Sequence, residues 1–309
     1  MSQARAVVFA YHDVGVRCLK TLLSARVEVP LVVTPPDDPH ESHWYASVAA
    51  TAADYGLPLV TSADANTGEL LRRVRALQPD FVFSFYYRAL LPAPLLAAAR
   101  RGALNMHGSL LPKYRGRAPI NWAILRGERE SGATLHYMVE RADAGDIVDS
   151  QSVPILLEDD AREVFAKVTV AAEMVLARSL PALIAGTAPR RPQALLPGEY
   201  FGRRRPEDGR IDWTRPALEI HNLVRAVAPP FPGAFAEVAG ERWEIQRTRL
   251  TARCAPAGGG VQLFGADGEC CIACSDGAVL RLLAAADARG AIDLPALARR
   301  VAMQPLRLA

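Results

Sequence analysis

Along roughly the first 185 residues, short β-branched or aromatic runs alternate with stretches whose apolar side chains recur every three or four positions. That alternation predicts an α/β fold on a largely parallel sheet. The strand-like runs are Ala6–Tyr11, Val27–Thr34, Leu57–Thr61, Phe81–Phe85, Ala103–His107, Thr134–Val139 and Ile147–Pro154. Helical spacing falls at Gly15–Ser24, Trp44–Tyr55, Thr67–Leu77, Pro94–Arg100 and Ile120–Arg126. The longest helix follows Asp160. Glu163 completes a capping box there, and Val164, Val168, Ala171, Val175 and Leu176 form its apolar stripe.

Periodicity stops between Gly186 and Asp212, a stretch rich in proline and arginine, which places a domain boundary near residue 200 and divides the chain into 1–200 and 201–309. Beyond it come a helix at Pro216–Ala226 and the turn Pro229-Pro230-Phe231-Pro232-Gly233. Five short strands follow, Ala234–Val238, Trp243–Thr248, Val261–Phe264, Glu269–Ala273 and Val279–Leu283, and they predict a small β-barrel or sandwich.

Charge excludes more than it suggests. With 36 basic and 33 acidic residues the formal charge is +3, and the cations form no single stripe, so nucleic acid is not an expected partner. Arg, Asp, Gly or Pro interrupts every apolar run before membrane-spanning length, so no membrane insertion is expected. The opening MSQARAVVFAYHD lacks a signal-peptide core and cleavage site, which predicts a cytoplasmic protein. Five cysteines, an odd number, read as reduced thiols, and the lone Cys271-Ile272-Ala273-Cys274 pair gives little support to a metal site.

The loop after the first strand, Ala10-Tyr11-His12-Asp13-Val14-Gly15, carries one glycine where a dinucleotide fingerprint needs three. A nicotinamide site is therefore not expected. The densest polar information is Asn105-Met106-His107-Gly108-Ser109-Leu110-Leu111-Pro112-Lys113-Tyr114-Arg115-Gly116-Arg117-Ala118-Pro119. Asn105 and His107 stand two apart at the carboxyl end of a strand, so both side chains point to one face of a ligand crevice. An imidazole that exchanges a proton near neutrality and an amide that donates to an oxyanion suit acyl transfer. No triad nucleophile is placed beside them, although Ser109 is close, which favours direct transfer to an external acceptor. Asp143, in the loop Arg141-Ala142-Asp143-Ala144-Gly145-Asp146, is a carboxylate that could orient the imidazole. Alternatives stand beside each: a strand-end histidine is often structural, and Asp-Ala-Gly-Asp also makes an adequate turn. His136, His40, His43 and His221 read as structural or surface residues, and so does His12, which also lies at a strand's carboxyl end.

These residues resemble the N10-formyltetrahydrofolate-dependent formyltransferases, whose signature matches Asn105-x-His107, the segment running to Pro119, and Asp143 in its loop. Phe9–Asp13, Phe83–Arg88, Phe201–Arg204 and Asn222–Val227 extend the resemblance to the formyltransferase half of the bifunctional polymyxin-resistance enzymes. Those enzymes formylate UDP-4-amino-4-deoxy-L-arabinose during lipid A modification. The resemblance implies a Rossmann-like domain followed by a small OB-fold-like barrel. It also implies 10-formyltetrahydrofolate as co-substrate, with Asn105 stabilising an oxyanion, His107 transferring a proton and Asp143 tuning it. Folate contacts are implied at Ala89, Leu90, Leu91, Arg117, Val139, Glu140, Arg141 and Ala142. For the acceptor's diphosphate, Arg115 and the run Arg203-Arg204-Arg205 are the cationic candidates. The decarboxylase half of the bifunctional enzymes does not follow Ala309, so the expectation is no NAD, with room for a separate decarboxylase partner and no presumption about oligomeric state. Rival readings are a methionyl-tRNA formyltransferase, a formyltransferase for another nucleotide amino sugar, and a folate-binding protein without turnover. Against the first, the stretch after Gly233 holds few clustered cations and several acids, among them Glu237, Asp267 and Asp293.

Overall fold

A computed structural model describes residues 3–38, 43–195 and 200–308. The chain divides into two compact units. One comprises Met1–Pro119, Glu130–Pro154 and Phe165–Gly202, the other Ile120–Arg129, Ile155–Val164 and Arg203–Ala309.

The first unit contains β1 (Arg5–Ala10), α1 (His12–Ser24), β2 (Glu28–Thr34), α2 (Val48–Asp54), β3 (Leu59–Thr61), α3 (Gly68–Ala76), β4 (Phe81–Phe85), α4 (Ala93–Leu96), β5 (Gly102–His107) and the short β6 (Arg115–Gly116). After α5 (Pro119–Leu125) come β7 (Glu130–Tyr137), β8 (Ile147–Pro154), α6 (Ala161–Ala185) and β9 (Tyr200–Phe201). Seven strands form one sheet in the order β3-β2-β1-β4-β5-β7-β8. It is parallel from β3 to β5, and β7 and β8 run antiparallel to their neighbours. The expected Rossmann-like architecture is therefore present with an antiparallel edge. Central strands read as continuous apolar runs because both faces are covered: Val7, Phe9, Leu31, Val33 and Val82 pack into one buried cluster. The direction of growth from the first strand reverses between β1 and β4, so the crevice for a ligand opens at the carboxyl ends of β1, β4 and β5.

Local chemistry sets the helix ends. Ser47 and Thr67 accept the backbone N–H groups of Ala50 and Leu70 and so start α2 and α3. Asp160 and Glu163 form the expected reciprocal cap, each side chain accepting the other's N–H at 2.9 Å. Helix α2 is shorter than the periodicity suggested, because Trp44 and Tyr45 precede the cap. Strand β7 begins four residues earlier than expected, where Glu130, Ser131 and Gly132 carry no strand-like side chains and are held by pairing to β8. Among the described residues, α6 is the one helix long and apolar enough to cross a membrane, and half of that window is buried within the protein.

The second unit holds α7 (Ala217–Ala226), β10 (Ala234–Val238), β11 (Glu241–Cys254), β12 (Gln262–Ala266), β13 (Glu269–Ala273), β14 (Ala278–Asp287), β15 (Gly290–Ala291), α8 (Leu294–Met303) and β16 (Leu306–Arg307). Its strands follow the path β10-β11-β14-β13-β12-β16, antiparallel at every step, with β15 paired to β14. The OB-like unit is thus an open half-barrel. Helix α8 was not evident from periodicity, yet it carries an Asp293 cap on the Ala296 N–H, a proline in its first turn and an inward stripe of Leu297, Ala298 and Val301.

Candidate functional site

Strand β5 ends on His107, and its alternation puts Asn105 and His107 on one face. In register across the antiparallel pair, Asn105 lies opposite His136 and His107 opposite Thr134. Directly paired residues share a face, so β7 delivers His136 to the same spot. In sequence His136 reads as structural or surface; the register sets it directly opposite Asn105.

The loop after β5 is pinned from β7. Thr134 Oγ1 donates to the Ser109 carbonyl at 2.7 Å and accepts the Leu111 N–H at 3.2 Å. Ser109 donates its hydroxyl to the Lys113 carbonyl at 2.6 Å and is 1% exposed, so it is a structural link rather than a nucleophile. His107 Nε2 lies 2.8 Å from the Tyr114 carbonyl. A carbonyl only accepts, so Nε2 carries the proton and Nδ1 faces the remaining partner. That partner is Asp143, whose Oδ1 is 3.7 Å from His107 Nδ1 and 3.4 Å from Asn105 Nδ2.

Asp143 adopts a left-handed backbone, φ 53°, a conformation aspartate tolerates better than most residues. Its Oδ2 accepts the Gly116 N–H at 2.9 Å. Gly116 itself has φ 102°, and a Cβ there would fall 2.3 Å from the Phe201 carbonyl. Gln193, half a hundred residues downstream, donates to the backbone carbonyls of both Asp143 and Gly145 at 3.0 and 2.6 Å. Burial by itself raises the Asp143 pKa, but the facing His107 ring, the adjacent His136 ring and the Gly116 N–H outweigh it and hold the carboxyl well below the usual range. The carboxylate is therefore ionised at neutral pH.

Of the residues implied for folate, Leu90 and Val139 are exposed apolar side chains, 73% and 47%. Arg117, Glu140 and Arg141 are exposed, and Ala89, Leu91 and Ala142 half-buried. Among the cationic candidates, Arg115 is 2% exposed. Arg203 to Arg205 lie in the second unit. Arg203 and Arg205 are exposed, whereas Arg204 is half-buried, lies over the Trp122 ring at 4.9 Å and donates to the Asp208 carbonyl at 2.8 Å.

His12 belongs to a separate aromatic cluster at the end of β1. It stacks on Tyr45 at 3.8 Å and meets Trp44 and Phe165 edge-on. Burial, then the charge of Arg88, pushes its pKa down to about 3. The folded state thus stays neutral where an unfolded histidine takes up a proton, so acid costs stability from about pH 6.5 down to about 3. Replacing His12 with phenylalanine is expected to flatten that part of the stability curve, measured by urea unfolding between pH 7 and 4; an unchanged slope would show that His12 is not its source. His221 is structural, with Nδ1 on Thr248 Oγ1 and Nε2 on the Leu157 carbonyl, both 2.9 Å. His43 is a surface residue 2.9 Å from the Asp38 carbonyl, and His40 lies outside the described residues. Cys270, Cys271 and Cys274 are buried free thiols, and burial pushes Cys270 and Cys274 up to about 12.

An amide, an imidazole and an ionised carboxylate therefore meet at the mouth of the sheet without a nucleophile among them. The fold has solved counterparts. An N-formyltransferase from Helicobacter canadensis, in complex with folinic acid and dTDP-3-aminofucose, superposes with a TM-score of 0.69 at 21% identity, over 91% of this chain and 99% of that one. WlaRD, a sugar 3N-formyl transferase in the presence of dTDP and 5-N-formyl-THF, gives 0.67 at 19% identity, over 95% and 99%. HypX from Aquifex aeolicus, in complex with tetrahydrofolic acid, gives 0.63 at 22% identity and covers 97% of this chain, which spans 47% of HypX. At these identities the likeness is one of fold. The sequence itself matches the formyl transferase family over residues 7–180 and the formyl transferase C-terminal domain over 204–300. With more than half its length matched, and with the site just described inside that match, the chain belongs to the formyl transferase family.

Proposed function

We propose that this formyltransferase moves the formyl group of 10-formyltetrahydrofolate onto the amine of a nucleotide-linked amino sugar, UDP-4-amino-4-deoxy-L-arabinose in lipid A modification. The observation that carries the reading is the convergence of Asn105 Nδ2 and His107 Nδ1 on one ionised oxygen of Asp143. Leu90 and Val139 offer apolar surface to a flat pterin, and Arg117 is an exposed cation among the proposed folate contacts. When bound, 10-formyltetrahydrofolate supplies the one-carbon group. Asn105 donates an N–H to the formyl oxygen as charge develops there. His107 exchanges a proton through Nδ1, since Nε2 is committed to Tyr114. Asp143 keeps that ring facing the site and balances its positive form. Because Ser109 is already engaged, transfer goes directly to the acceptor amine, without an acyl-enzyme. Arg203 and Arg205 are the exposed candidates for the diphosphate.

Purified protein is expected to release tetrahydrofolate from 10-formyltetrahydrofolate with UDP-4-amino-4-deoxy-L-arabinose and not with methionyl-tRNA. Turnover with the tRNA alone would overturn the proposed acceptor; turnover with a different nucleotide amino sugar would keep the acceptor class and replace the sugar.

A further inference from the structure

His136 is 1% exposed, and nothing in the catalytic scheme above uses it. Its surroundings nevertheless fix its protonation by elimination. Asp143 is ionised, so its oxygens only accept, and the Asn105 atom facing Oδ1 at 3.4 Å must be the amide nitrogen. The same nitrogen lies 3.2 Å from His136 Nε2. An N–H facing an N–H would be repulsive, so Nε2 must present its lone pair. The other ring nitrogen, Nδ1, sits 2.9 Å from the Tyr137 carbonyl and must donate. His136 is then the neutral Nδ1–H tautomer. The approach of Nε2 to Asp143 Oδ1 is longer, 3.5 Å, and a proton on Nε2 would set two N–H groups against each other across the 3.2 Å contact with Asn105.

His136 Nε2 and Asp143 Oδ1 lie 3.5 Å apart and both face the amide nitrogen from one side, at 3.2 and 3.4 Å. We propose that His136 is a positioning residue for Asn105. Its lone pair holds one amide N–H in place and so fixes the direction of the other, the one that meets the formyl oxygen. The inference rests on the formyl-transfer reading and deepens it by saying how the amide is aimed. The register supplies the physical reason, because Asn105 and His136 are directly opposed residues of β5 and β7 and share a face at the shortest cross-strand spacing.

Two substitutions separate this role from a merely structural one. Glutamine places an amide oxygen near the position of Nε2, keeping the acceptor and losing the donor to Tyr137. Asparagine reaches the position of Nδ1, keeping that donor and losing the acceptor. If His136 aims Asn105, His136→Asn is expected to lower kcat about 10–100-fold, the scale of a misplaced catalytic group, with KM for both substrates little changed, while His136→Gln restores most of the rate. A structural role alone predicts the reverse order, and that order, or no effect from either, overturns the proposal. Thermal melting of each variant shows whether it is folded. A readout independent of turnover is the 15N spectrum of the imidazole nitrogens at neutral pH. It should show His136 with Nδ1 protonated and Nε2 bare, and the Nε2 signal should move in Asn105→Ala. A protonated Nε2 would sink the inference even in an active enzyme. If wild-type protein fails to transfer formyl at all, the proposed function falls while this spectrum still decides the hydrogen bond.

Discussion

Replacing His107 with alanine is expected to lower kcat for formyl transfer by about 10²–10⁴-fold, the usual contribution of a general acid–base group. Folate binding should persist, since the proposed folate contacts at Leu90, Val139 and Arg117 are untouched. The argument is geometric. With Nε2 committed to the Tyr114 carbonyl at 2.8 Å, Nδ1 is the one ring atom left to exchange a proton, and it faces an ionised carboxylate 3.7 Å away. Alanine removes that atom and leaves the Asn105 and Gly116 donors to Asp143 in place. Steady-state kinetics beside a folate-binding titration checks the result: unchanged kcat would remove His107 from the mechanism, and lost folate binding would mean that the substitution had collapsed the loop.

Asp143→Asn should cost a similar factor, about 10²–10⁴-fold in kcat, for a different reason. The wild-type carboxylate accepts from Gly116 N–H on one oxygen and from Asn105 on the other, beside His107. An amide has one oxygen and one NH2, so either the Gly116 N–H or the Asn105 N–H meets another donor. The negative charge facing His107 goes too. Stability should follow with a defined sign. The folded carboxyl is held below its ordinary value, so its contribution is present above about pH 4 and fades as pH falls toward the folded value. The wild type should therefore exceed the variant in stability at neutral pH, with the gap narrowing in acid. Urea unfolding across pH 3 to 7 measures this; a gap that widened in acid would contradict the ionised Asp143.

Much of the site's chemistry was legible before the fold. A two-residue step within a strand puts alternate side chains on one face, so Asn105 and His107 could be paired from spacing alone. The cap at Asp160–Glu163 was equally readable, because both partners lie within one helical turn. Boundaries were less so. Strand β7 at Glu130–Gly132 and helix α8 carry little local signal, since pairing to β8 and packing onto the half-barrel hold them more than local propensity does.

What the sequence by itself determined is therefore the local part: the α/β alternation, the face shared by Asn105 and His107, the absence of a dinucleotide loop, and the family signature. Only the tertiary structure decided the rest. It brought His136 opposite Asn105, because cross-strand register is a long-range pairing with no trace in either strand alone. It joined Gln193 to the Asp143 loop across about fifty positions of chain. It also buried Arg115, a residue that reads as a surface cation in sequence, because burial depends on what packs around a side chain and not on its own polarity.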